Sequence, residues 1–301
     1  MASTLTYIRQ LYGVARRWRH RHDQALADNL DFSDFIDYAK EFQIKSGLRP
    51  LLITDDGIFI RTGAGFFLWF DPRFEHGTLW GVEKDGVWEP GIIKLCVDKL
   101  RHGGTFLDIG ANVGMFSMSV ANELHNVAIH AFEPVPANFS ILELNLNVNN
   151  MEDRIVVNNL AVSHHCSTIS MVVNGQLSHV IQNESKDKLT TVSINTVSVD
   201  YYCDSNEVTD VQLIKCDVEG FELDVLRGAE KVIRSQRPAL VLEIEEKWTS
   251  RYGYSAKDIF SFLQEFGYSG MPILYSGALG DKNTAFAQKI NQSNVFLFEI
   301  E

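Results

Sequence analysis

The amino-acid sequence predicts an α/β protein built on a mostly parallel, doubly wound sheet. Between residues 105 and 244, apolar stretches with strand-like composition alternate with stretches of helical periodicity. The predicted strands are apolar at nearly every position, which is typical of parallel strands that helices cover on both faces. A turn with two glycines, at residues 108–114, follows the first of these strands. Helices are therefore expected on both faces of one central sheet.

The predicted elements alternate along the chain from Thr105. Strands are predicted at residues 105–109, 127–132, 155–159, 211–216 and 239–244. Helices are predicted from Met115, from about Ala137 to Asn149, and as one stretch over residues 223–235. Parallel strands need a crossover connection, which is usually a helix. The order of the elements therefore agrees with a single parallel sheet.

The chain ahead of this sheet is predicted to form a small extension. Residues 1–48 carry two amphipathic stretches, which predict an N-terminal helical extension. Residues 49–103 form a β-rich lead-in and a helix that packs on the core. Its hairpin is indicated by Asp56–Gly57 between apolar arms, and its helix begins at Pro90. The main domain is predicted over residues 104–301.

The net charge of the 301-residue chain is −12 at pH 7. Nucleic acids are bound largely by lysines and arginines that neutralise phosphates, so no nucleic-acid partner is expected. The N-terminus is an exception, because residues 1–22 hold five arginines and no acidic residue. The amphipathic stretch 5–22 either packs on the protein's own acidic domain or contacts an anionic membrane surface or a partner.

The cysteines and the apolar stretches indicate where the protein is found. The four cysteines include no Cys-x-x-Cys pair and are too few for a disulfide scaffold. No stretch reaches the roughly 18 consecutive apolar residues that a spanning helix needs. The N-terminus also lacks the apolar region of a signal peptide. The sequence predicts a cytoplasmic protein with free thiols and no transmembrane segment.

The segment "DIGANVG", residues 108–114, is the first candidate ligand site, because doubly wound sheets bind ligands outside the carboxyl ends of their strands. A dinucleotide-binding loop would need glycine where Asn112 stands, so a nicotinamide or flavin cofactor is disfavoured. The spacing Asp-x-Gly-x-x-x-Gly resembles the first motif of class I methyltransferases. Their ligand, S-adenosylmethionine (SAM), carries an ammonium group that Asp108 can accept hydrogen bonds from.

Two further strand ends extend this site. The segment "VAIHAFEP" ends the second strand at Glu133, where a carboxylate would accept hydrogen bonds from both hydroxyls of an adenosine ribose. After the third strand, "NNLAVS" would place Leu160 and Ala161 beside the adenine. Asn159 either adds an amide to that wall or caps a turn.

Longer segments resemble the FkbM family of SAM-dependent methyltransferases. They are "FLDIGANVGMFS", "AFEPVPANFSILELNLNVNN", "LAVS", "VSVD" and "IKCDVEGFELDVLRGA". The resemblance covers about residues 86–245 in the family's order. It implies a Rossmann-like class I methyltransferase fold and an enzyme that O-methylates a hydroxyl of a sugar, glycan or small natural product. Cys216 departs from the family's pattern, in which a small or aliphatic residue is more usual.

The resemblance also implies a set of site residues. Those that hold SAM are Asp108, Gly110, Asn112, Gly114 and Glu133. Adjoining positions that complete the predicted cofactor site are Ala111, Pro134, Asn159 and Ala161. Those that line the reaction side are Asp217, Glu219 and Gly220.

Deprotonation of the acceptor hydroxyl needs a base, which contributes about 10² to 10⁴ in rate when well placed. Asp217 ends the strand that faces the glycine loop across the switch of strand order. Glu219, Glu243 and His179, in the insertion between the third and fourth strands, are the other catalytic candidates. Lys215 shares the strand parity of Asp217, so a structural ion pair is the alternative for these carboxylates. No third ligand accompanies Asp217 and Glu243, so no metal site is predicted.

Two other functions stay open at this point. One is methylation of a protein or another macromolecule; the absence of an Asn-Pro-Pro-aromatic motif at Asp217 argues only against a base-modifying enzyme. The other is a SAM-binding module without catalysis. Intact "DIGANVG" and "CDVEG" segments argue against that module.

Overall fold

The computed structural model describes residues 51–54, 57–70, 88–172, 179–180, 191–280 and 294–300. The predicted N-terminal helices, including the basic stretch 5–22, lie outside these residues. The described residues fall into two compact units. The first holds those up to Glu89 together with Asn147–Asn149, and the second holds the remainder, beginning with the helix that starts at Pro90.

The first unit contains a three-stranded antiparallel sheet in the order β1-β2-β3. Its strands are β1 (Leu51–Thr54), β2 (Gly57–Arg61) and β3 (Phe67–Phe70). Gly57, which was predicted to lie in the hairpin turn, is the first residue of β2 and pairs with Thr54. The apolar run Ile58–Ile60 is buried on both faces of β2.

The second unit begins with alternating helices and strands. They are α1 (Pro90–Lys99), β4 (Gly104–Ile109), α2 (Met115–Glu123), β5 (Val127–Phe132), α3 (Pro136–Asn149) and β6 (Ile155–Asn158). Helices α1 and α3 both start at a proline, whose fixed φ and missing N–H suit the first helical position. The predicted boundaries of these elements agree with the structure to within one or two residues.

The remainder of the second unit completes the central sheet. Its larger elements are α4 (Val199–Ser205), β11 (Val211–Cys216), α5 (Glu222–Arg227), α6 (Glu230–Gln236), β12 (Ala239–Glu243), α7 (Glu246–Thr249), α8 (Ala256–Gln264), β13 (Tyr268–Pro272) and β14 (Val295–Ile300). A 3₁₀ turn over Ser250–Tyr252 follows α7.

The central sheet has seven strands in the order β13-β14-β12-β11-β4-β5-β6. The neighbours from β12 to β6 are parallel, whereas β14 runs antiparallel to both β12 and β13. Strand β4 is buried at five of its six positions and β11 likewise. The predicted fold class, α/β with a mostly parallel doubly wound sheet, is confirmed.

A second, smaller sheet fills the insertion between β6 and α4. It consists of β7 (Ala161–Val162), β8 (Thr168–Val172), β9 (His179–Val180) and β10 (Thr191–Val197), in the order β7-β10-β8-β9. These strands were not predicted from the sequence. Two of them are only two residues long, whereas the alternation of polar and apolar residues in β10 is a strand signal that was missed.

The prediction of one helix over residues 223–235 is wrong, because the chain forms two helices there, α5 and α6. Gly228 lies between them, and a Cβ at this position would come within 2.2 Å of the Ser163 carbonyl oxygen. The Asp200 carboxylate accepts hydrogen bonds at 2.9 Å from the N–H groups of Lys231 and Val232, in the first turn of α6. A close backbone approach and an acidic cap from another helix therefore separate the two helices.

Within the part of the chain that the structure describes, no helix combines the length and the apolar character that a bilayer span requires.

The packing of the β4 and β11 ends can be tested at Gly110. A Cβ on this residue would lie 1.9 Å from the Asp217 carbonyl oxygen, whereas Gly253 has the same φ of 77° and open space around it. We expect Gly253→Ala to lower the free energy of unfolding by about 1–2 kcal/mol, the cost of left-handed backbone. Gly110→Ala should cost about 1–3 kcal/mol more, because the methyl group also overpacks the contact. Urea unfolding of both variants measures the difference, and equal losses would show that the two strand ends are not in tight contact.

Candidate active site

A cleft opens outside the carboxyl ends of β4, β5 and β11. Strands β5 and β6 lie on one side of β4, and β11 and β12 lie on the other, so the strand order reverses between β4 and β11. The loops after β4, β5 and β11 line the cleft together with the turn after β6. This switch of strand order is where doubly wound sheets bind their ligands.

The loop after β4 has a backbone that is left-handed at three of its five residues. Gly110, Asn112 and Gly114 have φ values of 77°, 53° and 90°. The N–H groups of Gly110 and Ala111 donate to the Phe132 carbonyl at 3.0 and 2.9 Å, which ties the loop to the end of β5. Glycine adopts left-handed backbone without strain, and asparagine tolerates it. The sequence therefore gives this loop one defined shape.

Members of the loop have different surroundings. Gly110 and Asn112 line the cleft. The Asn112 Oδ1 atom is buried and has no hydrogen-bond partner among the described residues, so it is an acceptor open to a ligand. Ala111 is buried outside the cleft lining. A Cβ on Gly114 would come within 2.4 Å of Leu142, so this glycine lets the loop pack on α3.

Glu133 is a buried carboxylate in the wall of the cleft. Its Oε2 accepts the Asn112 N–H at 2.9 Å, and its Oε1 accepts the Val135 N–H at 3.0 Å and the Asn138 amide at 3.3 Å. Burial raises the pKa of Glu133 to about 7, although these hydrogen bonds favour the ionised form. Glu133 therefore fixes the first loop and presents a carboxylate to the cleft.

Beyond Glu133 the wall becomes apolar. Pro134, Leu160 and Ala161 line the cleft. Asn159 is exposed and does not line it; its amide donates to the carbonyls of Glu133 and Pro134 at 2.9 and 3.1 Å. Of the two alternatives for Asn159, the structure shows the contacts of a turn cap.

Asp108 lies fully buried at the end of β4 and does not line the cleft. Its Oδ2 accepts the Ser117 N–H at 3.1 Å and the Ser117 hydroxyl at 2.6 Å. Ser117 is in the first turn of α2, whose N–H groups lack partners within the helix. Burial raises the pKa of Asp108, and the nearby Lys215 ammonium and the Ser117 hydrogen bonds act in the opposite direction. In this structure the residue caps α2 and thereby positions the glycine loop.

Lys215 supplies a cation beneath the cleft. Its side chain is 7% exposed, and its Nζ lies 3.8 Å from Asp108 Oδ1 and 3.4 Å from Asp217 Oδ2. It also donates to the Gly110 carbonyl at 3.3 Å and lies 4.8 Å from the centre of the Phe116 ring. From the sequence, Lys215 was expected only as a possible partner in an ion pair. Its position at the buried end of an apolar strand could have indicated that it also contacts the glycine loop.

Two carboxylates follow β11 on the opposite wall of the cleft. Asp217 and Glu219 both line it, with Val218 and Phe221. The Asp217 N–H donates to the Ile109 carbonyl at 3.1 Å, so this wall is attached to the end of β4. The structure thus brings the two carboxylates to the same cleft as Glu133.

The loop that carries Glu219 is held by residues that the sequence analysis missed. Glu222 is buried, and its Oε1 accepts the N–H groups of Gly220 at 3.0 Å and Val218 at 3.3 Å. The Tyr254 hydroxyl donates to the Gly220 carbonyl. A Cβ on Gly220 would lie 2.6 Å from the Trp248 backbone, so Gly220 serves the packing of the loop on α7. The segment "EGFE", residues 219–222, was the feature of the sequence that could have indicated that Glu222 holds this loop.

The two remaining catalytic candidates are Glu243 and His179. Asn294, next to β14, donates to the carboxylates of Glu243 and Glu245, and Glu243 is absent from the cleft wall. The His179 backbone lies in β9, which pairs with β8 at Met171. The His179 side chain lies outside the described part of the structure. Among the described residues, no group of three or more His, Cys, Asp or Glu side chains is arranged to hold a metal ion.

Comparison with known proteins identifies methyltransferases that are similar to this chain. The chain is 26% identical to the hexuronic acid methyltransferase AglP of Haloferax volcanii over 189 residues, which are 62% of this chain and 72% of that protein. It is 45% identical to the 31-O-demethyl-FK506 methyltransferase FkbM of Streptomyces tacrolimicus over 47 residues, 16% of this chain and 18% of that protein.

Solved structures and a family model complete the comparison. The crystal structure of a methyltransferase FkbM from Methylobacillus flagellatus matches with a TM-score of 0.41 and 16% identity, over 65% of this chain and 43% of that one. The model of the methyltransferase FkbM domain matches residues 108–269, which is more than half of the chain. The chain therefore belongs to the FkbM family of methyltransferases.

Proposed function

We propose that the protein is a SAM-dependent O-methyltransferase whose acceptor is a hydroxyl of a sugar, glycan or small natural product. One observation carries this proposal. A single cleft at the switch of strand order has Glu133 on one wall and the carboxylates of Asp217 and Glu219 on the other. Such a cleft can bind a nucleoside through the first carboxylate and place a second molecule beside the other two.

The residues present fit SAM. The Glu133 carboxylate faces the cleft at the position that accepts hydrogen bonds from both ribose hydroxyls in nucleotide-binding sheets of this type. Leu160, Ala161 and Pro134 offer a small apolar wall for an adenine. The unpartnered Asn112 Oδ1 atom is a buried acceptor that a donor of the cofactor would satisfy. Asp108 does not line the cleft, and it would contribute by holding the glycine loop in place through its hydrogen bonds with Ser117.

The acceptor class is supported by two considerations. The names of two relatives assign them a hexuronic acid and the 31-oxygen of an FK506 precursor as methyl acceptors. The net charge of −12 opposes attraction to a nucleic-acid backbone. Both favour an acceptor that is a small oxygenated molecule or a glycan.

The protein's own contribution to such a reaction is mainly positioning. When bound, SAM supplies a methyl group activated by its sulfonium charge. Holding a hydroxyl in line with such a group is worth up to about 7–11 kcal/mol. The β11 loop, which the Asp217 N–H and the Glu222 carboxylate attach to the protein, is the wall that would hold this hydroxyl.

Methyl transfer to probe acceptors tests the proposal directly. The purified protein is incubated with SAM and a panel that includes methyl β-D-glucuronide and methyl β-D-glucoside, and the products are analysed by mass spectrometry. We expect a product heavier by one methylene, formed together with S-adenosylhomocysteine and stable to mild alkali as a methyl ether is. An alkali-labile methyl ester, or methylation of a protein instead of every small acceptor, would contradict hydroxyl methylation.

SAM binding should depend on the ionisation of Glu133. Ribose hydroxyls donate hydrogen bonds to the ionised carboxylate, and burial raises the pKa of Glu133 to about 7. The affinity for SAM should therefore increase as the pH is raised from 6 to 8. Glu133→Gln should remove this dependence and weaken binding roughly ten- to hundredfold, the effect of losing charge-assisted hydrogen bonds. Calorimetry between pH 6 and 8 measures both effects.

The control for this experiment is Glu143→Gln, which changes an exposed glutamate on α3. It should bind SAM as the parent does at every pH. If a folded Glu133→Gln protein binds SAM with parental affinity and pH dependence, the assignment of Glu133 to the ribose is wrong.

A further inference from the structure

The two carboxylates of the β11 loop differ in what surrounds them. The Asp217 carboxylate is paired with Lys215, whose ammonium lies 3.4 Å away and is itself 7% exposed. That same ammonium contacts the Gly110 carbonyl at 3.3 Å. Asp217 is thus fixed in place by a buried cation that is also attached to the glycine loop.

Glu219 has no such partner. It lines the cleft, is half-buried, and makes no hydrogen bond or ion pair with any described residue. Its φ is 54°, a left-handed conformation that is uncommon for glutamate. Strained backbone of this kind persists where the surroundings fix it, and it concentrates at functional sites.

The surroundings that fix Glu219 are specific. On its C-terminal side, Gly220 donates to the buried Glu222 and accepts from Tyr254, and it leaves no room for a side chain against Trp248. On its N-terminal side, the Val218 N–H also points to Glu222. The loop therefore holds the unpaired carboxylate of Glu219 at the cleft wall, two residues after Asp217, which pairs with Lys215.

We propose that Glu219 is the general base of the reaction, and that Asp217, which Lys215 orients, accepts a hydrogen bond from a second hydroxyl of the acceptor and so aligns it. This inference rests on the proposed O-methyltransferase function. The acceptor O–H proton passes to the Glu219 carboxylate as the oxygen lone pair forms the new O–CH₃ bond. The S–CH₃ bond breaks, and its electron pair stays on sulfur, which leaves neutral S-adenosylhomocysteine.

The electrostatics of Glu219 agree with this role. Burial, together with the negative charges of Asp217 and Glu245, raises the pKa of Glu219 to about 7. Lys247 and Arg251, from α7 and the 3₁₀ turn, act in the opposite direction. A general base is most effective when its pKa lies near the working pH. Glu219 can therefore take up the proton at neutral pH and release it afterwards.

Three variants separate the two carboxylates. Glu219→Gln removes the base and keeps the size and backbone preference of the side chain, so the loop should fold unchanged. Asp217→Asn removes the charge that Lys215 holds. Glu230→Gln, at an exposed glutamate of α6, is the matched control. Thermal unfolding of each variant confirms that the fold is retained.

The first measurement needs no acceptor. Carbon-13 NMR of the glutamate carboxyls in the ligand-free protein, assigned by the loss of one signal in Glu219→Gln, gives the pKa of Glu219. We expect titration near 7. Titration near 4.5, the ordinary value for glutamate, would overturn the proposal even if the enzyme proves active. Because this result is independent of turnover, it stands apart from a failure of the proposed methyltransferase function.

The second measurement is kcat as a function of pH with SAM and the glucuronide or glucoside probe that accepts methyl. We expect the parental kcat to rise with pH through 7 and to level off above it. Glu219→Gln should lower kcat about 10²- to 10⁴-fold and abolish the rise, with SAM affinity little changed. Asp217→Asn should keep the rise and mainly increase the KM of the acceptor.

The conservative variant Glu219→Asp completes the test, because aspartate tolerates left-handed backbone and retains a carboxylate. It should restore part of kcat and the pH-dependent rise. If Glu219→Gln turns over at the parental rate with the parental pH profile, or if only Asp217→Asn loses the rise, then Glu219 is not the base.

Discussion

The buried ammonium of Lys215 holds the parts of the site together, and the arrangement of the cleft depends on it. Isolated charges are very costly to bury, so this cation requires partners, and it finds them in Asp108, Asp217 and the Gly110 carbonyl. These partners belong to β4, to the loop after it and to the end of β11. The ammonium therefore joins the two central strands where their order reverses and the cleft opens.

The acidic residues around this cation serve different purposes because their surroundings differ. Asp108 caps α2 and so orients the glycine loop, and Glu222 fixes the loop after β11 through backbone N–H groups. Glu133 fixes the glycine loop by accepting the Asn112 N–H, and it also faces the cleft. Glu219 alone of these carboxylates lacks a partner among the described residues. A side chain that the fold leaves unsatisfied in a cleft is available for chemistry.

The sequence was sufficient to predict the five parallel strands of the central sheet and the position of the cleft, but not the antiparallel strands β13 and β14. Apolar runs that are buried on both faces mark β4 and β11 clearly, and the segment "DIGANVG" locates the loop between strand and helix. Glu133 could be placed because strand ends converge at one edge of a parallel sheet. These predictions depend on local patterns, which one stretch of chain determines by itself.

The remaining features depend on contacts between distant segments. Asn294, on the antiparallel side of the sheet, donates a hydrogen bond to the Glu243 carboxylate. The break at Gly228 depends on the Ser163 carbonyl and on a cap from Asp200. Asn159 binds backbone carbonyls of the preceding loop instead of facing the cleft. No periodicity within the chain reports contacts of this kind.

A crystal structure of the protein with S-adenosylhomocysteine would locate the ligand and the β11 loop together. We expect the ribose hydroxyls within hydrogen-bond distance of the Glu133 carboxylate and the adenine against Leu160 and Ala161. The sulfur should face the wall formed by Asp217 and Glu219. Density for the ligand at another place, or a ribose that contacts neither oxygen of Glu133, would contradict this expectation.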